Sequence, residues 1–115
     1  MKYLYLLYAD ESKMPHPGTP AFDAQNTAFN NDFEEINGKG MFNAGDPVQA
    51  SKTSKTVRVR NGQTQATDGP FNKTGDQLVG FYVIEAADLD EAVKYAAKCP
   101  VAFAGAMEVR PIFQM

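Results

Sequence analysis

Leu78-Val79-Gly80-Phe81-Tyr82-Val83-Ile84 is apolar at odd and even positions alike, so a strand built from it must be covered on both faces. Gly80 inside the run predicts a bulge or a close approach by another chain. Tyr3-Leu4-Tyr5-Leu6-Leu7-Tyr8 has the same two-sided character. Both are read as central strands of one sheet, and the rest of the chain is arranged to cover them.

Working outward, Thr19-Pro20 reads as an N-cap followed by proline in the first helical turn, where its missing N–H costs nothing. Phe22, Phe29, Phe33 and Ile36 then fall at helical spacing on one stripe, which is assigned to the core. Gly38 is placed as the left-handed C-terminal cap. Met41–Ala44 is expected as a brief strand, Gly45-Asp46-Pro47 as a turn, and Val48–Ser54 as irregular chain. Thr56-Val57-Arg58-Val59-Arg60 alternates, Asn61-Gly62 is a strong two-residue hairpin signal, and Gln63–Thr67 returns. That turn pairs Val59 with Thr64 and Val57 with Ala66, giving an amphipathic hairpin with Arg58 and Arg60 on its polar side. Asp88, with Glu91 three residues on, starts a second helix whose Leu89, Ala92, Val93, Ala96 and Ala97 share a face; Pro100 stops it. Gly105–Phe113 closes the chain as a strand, limited to an edge by Pro111.

The order strand, helix, strand, hairpin, strand, helix, strand predicts one α+β domain over residues 1–115 with a ferredoxin-like β-α-β-β-α-β plan and an inserted hairpin. Both helices then cover one face of the sheet. The other face of the two central strands needs a cover of its own, and a second copy packed sheet to sheet supplies one, so a homodimer with a barrel-like core is expected.

Composition narrows the functional classes. A net charge of −3 from 11 basic and 14 acidic residues offers no clustered basic face for a phosphate backbone, so nucleic acid is not an expected partner. The lone Cys99 allows no intrachain disulfide and points to a reducing, cytoplasmic setting. It is read as a small, semi-buried structural filler. The apolar run at 3–8 is short and ends at Asp10-Glu11, which fits neither a signal segment nor a membrane span. No phosphate-binding glycine loop and no zinc-ligand spacing is present, so no cofactor or metal is expected.

Ala66-Thr67-Asp68-Gly69-Pro70-Phe71 is the stretch that looks shaped for a site. Asp, Gly and Pro in succession make a stiff turn that holds one carboxylate in place. Asp68 is the candidate acid/base or anchor, or else a cap of its own turn, and Asp46 is the second carboxylate of a candidate pair. Arg58, Phe71 and Tyr82 are candidate ligand contacts, with Phe71 also read as plugging the core beneath the turn and Tyr82 as packed in it.

The opening Met1–Tyr8, Thr56–Arg60, Thr67-Asp68-Gly69-Pro70-Phe71, Gln77–Tyr82, Asp88-Leu89-Asp90-Glu91-Ala92, Cys99-Pro100 and Glu108-Val109-Arg110-Pro111 together resemble, in this order, the DGPF-type branch of the YCII-related proteins. The resemblance implies a dimeric ferredoxin-like α+β barrel. It also implies a His–Asp pair of the kind proposed in the wider superfamily, one relative of which dehalogenates chlorinated aromatics. Here the only histidine, His16, stands between Pro15 and Pro17 in a loop and not on the first helix, a departure from that pattern. Relatives of this type are often encoded beside, or fused to, sigma factors. Two functions follow as expectations: a cofactor-free enzyme acting on a small organic molecule, or a non-catalytic dimeric module that binds a ligand or partner in a regulatory setting. An enclosed pocket with a buried carboxylate favours the first, and a filled core the second.

Overall fold

The computed structural model describes residues 1–114 and has a mixed α+β architecture. Strand β1 (Lys2–Ala9) is followed by helix α1 (Pro20–Gly38), strand β2 (Phe42–Pro47), strands β3 (Lys55–Arg60) and β4 (Gln63–Asp68), strand β5 (Gln77–Glu85), helices α2 (Leu89–Ala96) and α3 (Val101–Ala104), and strand β6 (Ala106–Pro111). The main sheet has the order β2-β5-β1-β6, antiparallel throughout, with the two apolar runs as its central strands. The hairpin β3-β4 makes a separate two-stranded sheet.

The capping chemistry explains where the helices begin. Thr19 Oγ1 accepts from the Phe22 N–H at 3.2 Å, and Asp88 Oδ1 accepts from the Glu91 N–H at 2.8 Å while Glu91 reaches back to the Ala87 N–H. α1 runs to Gly38, and the left-handed residue that turns the chain is Gly40 at φ 72°, two positions beyond the expected cap. Gly45-Asp46-Pro47 is not a turn but the end of β2, held to Tyr82, Phe81 and Gly80 of β5. Pro47 fits because β2 is an edge strand. Pro100 ends the second helical run, as expected, but the chain re-enters a short helix, α3, directly after it.

Strand alternation sorts the sheet into two faces. Tyr3, Tyr5 and Leu7 of β1 pair with Ile84, Tyr82 and Gly80 of β5 and face the helices. There Tyr5 and Ile84 are fully buried with Ile36 of α1, Ala92 and Ala96 of α2, and Cys99. Each large aliphatic side chain sealed in this way contributes about 2 kcal/mol. The Tyr5 hydroxyl donates to the Ala92 carbonyl at 2.5 Å, which ties β1 to α2. Leu89 and Val93, expected on the buried face of α2, are 45% and 50% exposed, because only the narrow Ala92–Ala96 strip touches the sheet. On the opposite face Leu4, Leu6, Phe81 and Val83 are half-buried, and both long helices lie on the other side. No helix among the described residues is long and apolar enough to cross a membrane.

Candidate functional site

A cavity of about 480 Å³ lies between the N-terminal part of α1 and the sheet. Phe22, Gln25, Asn26, Phe29, Asn30 and Phe33 line it from the helix. Their spacing of three and four residues is one helical face, so the Phe stripe alternates with carboxamides instead of being uniformly apolar. The three Phe side chains are only partly buried; Phe29 packs against the buried core, while the assignment of Phe22 and Phe33 to that core is corrected, since they form a wall of the cavity. Ile36, the last member of the stripe, is buried as expected.

The opposite wall is shaped by two glycines. By register, Gly45 stands beside Tyr82 and Gly80 beside Leu7 on the helix-facing side, so two floor positions carry no side chain. A Cβ on Gly45 would lie 2.4 Å from Tyr82 Cδ1 and 2.6 Å from the Phe81 carbonyl oxygen; only glycine lets β2 approach the ring so closely. At Gly80 an added Cβ would come within 3.3 Å of the Asp46 carbonyl oxygen. The sequence expectation of a bulge at Gly80 also holds, since the β1–β5 register slips between Leu7 and Tyr8. Phe33, Phe42 and Tyr82 form an edge-to-face series, with ring centroids 4.7 Å and 5.8 Å apart.

Titratable groups in this cavity are few. Burial, with the nearby Cys99 and Asp32, pushes the Tyr82 phenol up to about 12, so at neutral pH it is an un-ionised O–H donor. Asp46 also borders the cavity. It is the cross-strand partner of Phe81, whose side chain alternates with that of Tyr82, so Asp46 contributes from the sheet edge and not from the helix-facing side. No Lys, Arg or His is among the lining residues. The arrangement suits a small, uncharged, flat molecule held between rings and addressed by carboxamide and phenol groups.

Tyr82 and Asp46 are therefore together at the cavity, and the remaining candidates are elsewhere. Asp68 ends β4 with its side chain 87% exposed and its carboxylate paired with Lys55 Nζ, its cross-strand partner. It makes no bond to its own turn; Gly69, at φ 98°, supplies the bend. Phe71 is 74% exposed and does not plug the core, because the Arg58 guanidinium stacks over its outward ring at 5.1 Å. Arg58 is exposed on the hairpin. His16 is exposed in the loop before α1 and lines neither the cavity nor the helix.

One residue that sequence reasoning passed over lies behind the cavity. Asp32 of α1 is 7% exposed, and its Oδ2 has no hydrogen-bond partner among the described residues. Burial first, and the nearby Glu35 charge second, hold its carboxyl above the usual carboxylate range. It sits against Cys99, whose own thiol is pushed up to about 11, chiefly by burial. That agrees with the reading of Cys99 as an inert filler. Nothing in the Asn30-Asn31-Asp32 run distinguishes this carboxylate from its solvated neighbours except its position four residues before Ile36. Gln25 and Asn26 had a clearer signal, being polar residues inside an aromatic stripe.

Comparison with known proteins places these features. An uncharacterized protein of Rhizobium meliloti (strain 1021), R00369, is 46% identical over 59 residues, a match that spans 50% of this chain and 48% of that protein. A solved structure, 5-chloro-2-hydroxyhydroquinone dehydrochlorinase (TftG) from Burkholderia phenoliruptrix AC1100 in complex with 2,5-dihydroxybenzoquinone, aligns over 100% of this chain and 96% of its own at a TM-score of 0.54 and 18% identity. That similarity is one of fold. The YCII-related domain matches residues 1–115, from the first central strand through the last edge strand, and the chain belongs to the YCII-related family.

Proposed function

We propose that this chain is a DGPF-type member of the family that works as a homodimer, its two sheets closing a dimeric α+β barrel, and that it binds a small uncharged ring compound in the cavity beneath α1. The observation that carries the reading is the cavity wall itself: aromatic rings interleaved with carboxamides over a floor opened by Gly45 and Gly80. The fold neighbour in complex with 2,5-dihydroxybenzoquinone adds support for a ring of that size. In the enzymatic form of the reading, cofactor-free proton transfer falls to Asp46 at the cavity edge, with Tyr82 as a neutral donor orienting the ring. Asp68, the carboxylate first favoured for that role, points to water beside Lys55.

A second reading, a non-catalytic ligand-binding module in a sigma-factor-linked regulatory setting, is favoured by the scarcity of titratable groups in the cavity, where Asp46 and Tyr82 stand alone. Calorimetric titration with phenol and with hydroquinone, both uncharged at neutral pH, tests the shared claim. Saturable one-to-one binding that Phe29→Ala weakens about tenfold supports it. Binding unchanged in that variant, or none of either compound, contradicts it. If the wild type turns the ring compound over and Asp46→Asn does not, the enzymatic form holds; binding without turnover selects the second.

A further inference from the structure

A second recess, of about 450 Å³, opens between α1 and the junction of α2 with α3, and it shares no lining residue with the ring cavity. Ala28, Asn31, Asp32 and Glu35 line it from one stripe of α1, and Lys98, Pro100 and Phe103 close it from the other side. Phe103 is 81% exposed, an aromatic ring presented to water at the rim. The recess belongs to the helical layer, so two copies packed by their helix-free sheet faces leave it open to solvent.

Its chemistry centres on Asp32, which borders this recess and not the ring cavity. Only 7% of Asp32 is exposed, and its Oδ2 has no hydrogen-bond partner among the described residues. A buried carboxyl in that condition is costly and calls for a donor or a positive charge. Lys98, the cation in the lining, is engaged elsewhere: its Nζ donates to Glu35 Oε1 at 2.7 Å and stands over the Tyr95 ring at 5.0 Å. Lys39 and Lys94 gather on the same ring, and neither lines the recess. Against burial and the Glu35 charge, which raise the Asp32 carboxyl, the Cys99 thiol and Lys98 act only in part.

Charge and shape select the occupant. With Asp32 ionised, Asp32 and Glu35 against Lys98 leave the lining one negative charge in excess, which a monocation neutralises. Two carboxylates beside a lysine make a poor cage for a metal ion, and no group of three metal-ligating side chains occurs among the described residues. Ala28, Pro100 and Phe103 add apolar surface, and the face of a phenyl ring attracts an organic cation. We infer that the recess is a binding site for a small organic ammonium ion, whose N–H groups donate to Asp32 while its hydrocarbon part lies against Pro100 and Phe103. The site is separate from the ring cavity, and the two stand or fall independently.

Titration of the ¹⁵N-labelled protein with benzylammonium chloride, and with benzyl alcohol as the uncharged compound of the same outline, tests the site. Saturable shifts at the amides of Asn31, Asp32, Glu35 and Phe103, with Gly45 and Gly80 unmoved, are expected for benzylammonium. Benzyl alcohol should bind at least about tenfold more weakly. Asp32→Asn keeps the size of the side chain and removes its charge, and should weaken benzylammonium about tenfold. Phe103→Ala removes an exposed ring, leaves the core untouched, and should weaken it about threefold. No saturable binding below about 10 mM, equal binding of the alcohol, or an affinity unchanged in both variants overturns the site. Shifts centred on Gly45 and Gly80 overturn it as well, since they assign the ammonium ion to the ring cavity.

Discussion

The two halves of α1 rest on the same sheet and meet different floors. The C-terminal half sets Ile36 and Asp32 against the buried Tyr5, Ile84 and Cys99. The N-terminal half sets Phe22 and Phe29 over Gly45 and Gly80, positions with no side chain, and a cavity results. The helix sequence is aromatic and aliphatic along one stripe in both halves, so the difference comes from the strands below. A cavity here is made by what the sheet omits.

The largest test of that contrast is Gly45→Ala. The new methyl overlaps the Tyr82 ring and the Phe81 backbone carbonyl, and the expected cost is about 2–4 kcal/mol in urea unfolding. A cost below about 0.5 kcal/mol would show that β2 does not approach Tyr82 as described. Next comes the closed half, where Tyr5→Phe removes the hydroxyl bond to Ala92 and should cost about 1–2 kcal/mol. An unchanged denaturation midpoint would mean that β1 and α2 are not tied there.

A third test uses pH. Asp32 has its folded-state pKa raised, so between the ordinary aspartate value and the raised one the unfolded chain releases a proton that the folded chain keeps. Its stabilising contribution is complete below the ordinary value and is lost as pH rises through the raised one. Asp32→Asn lacks this titration. It should be more stable than the wild type at pH 7 by about 1 kcal/mol, with the gap shrinking toward pH 4, as followed by thermal melting across that range. A gap independent of pH would show that Asp32 is solvated, and a gap that widens toward pH 4 would show that it is paired with a cation. The smallest effect belongs to the β3-β4 hairpin: Asp68→Asn breaks an exposed pair with Lys55 and should change monomer stability by less than about 0.5 kcal/mol in chemical unfolding.

The contrast also explains what could be read in the sequence. The two central strands, both helix starts and the Asn61-Gly62 hairpin follow from local rules, and the structure has each of them, with Asn61 at φ 52° and Gly62 at φ 75°. The expectation failed where a residue's role depends on what faces it across the fold. The Phe stripe has a core pattern, but the two strands below it, β2 and β5, each hold a glycine, Gly45 and Gly80, far along the chain. Gly45-Asp46-Pro47 has turn chemistry, but pairing with β5 draws it straight. Phe71 looks like a plug, but the hairpin it follows lies beside the body instead of on it. Asp46 was legible as a candidate carboxylate; that Asp46 borders the cavity and Asp68 does not follows from β2 joining the main sheet while β4 stays in the separate hairpin.

The measurement that tests the central claim most directly is a ¹H–¹⁵N correlation titration of the wild type with hydroquinone. Saturable shifts confined to the amides of Asn26, Phe29, Gly45, Gly80 and Tyr82, with Asp68 and Gly69 unmoved, are the predicted result. Shifts centred on Asp68, Gly69 and Phe71, with the cavity amides still, would contradict the account and return the site to the turn at the base of the hairpin.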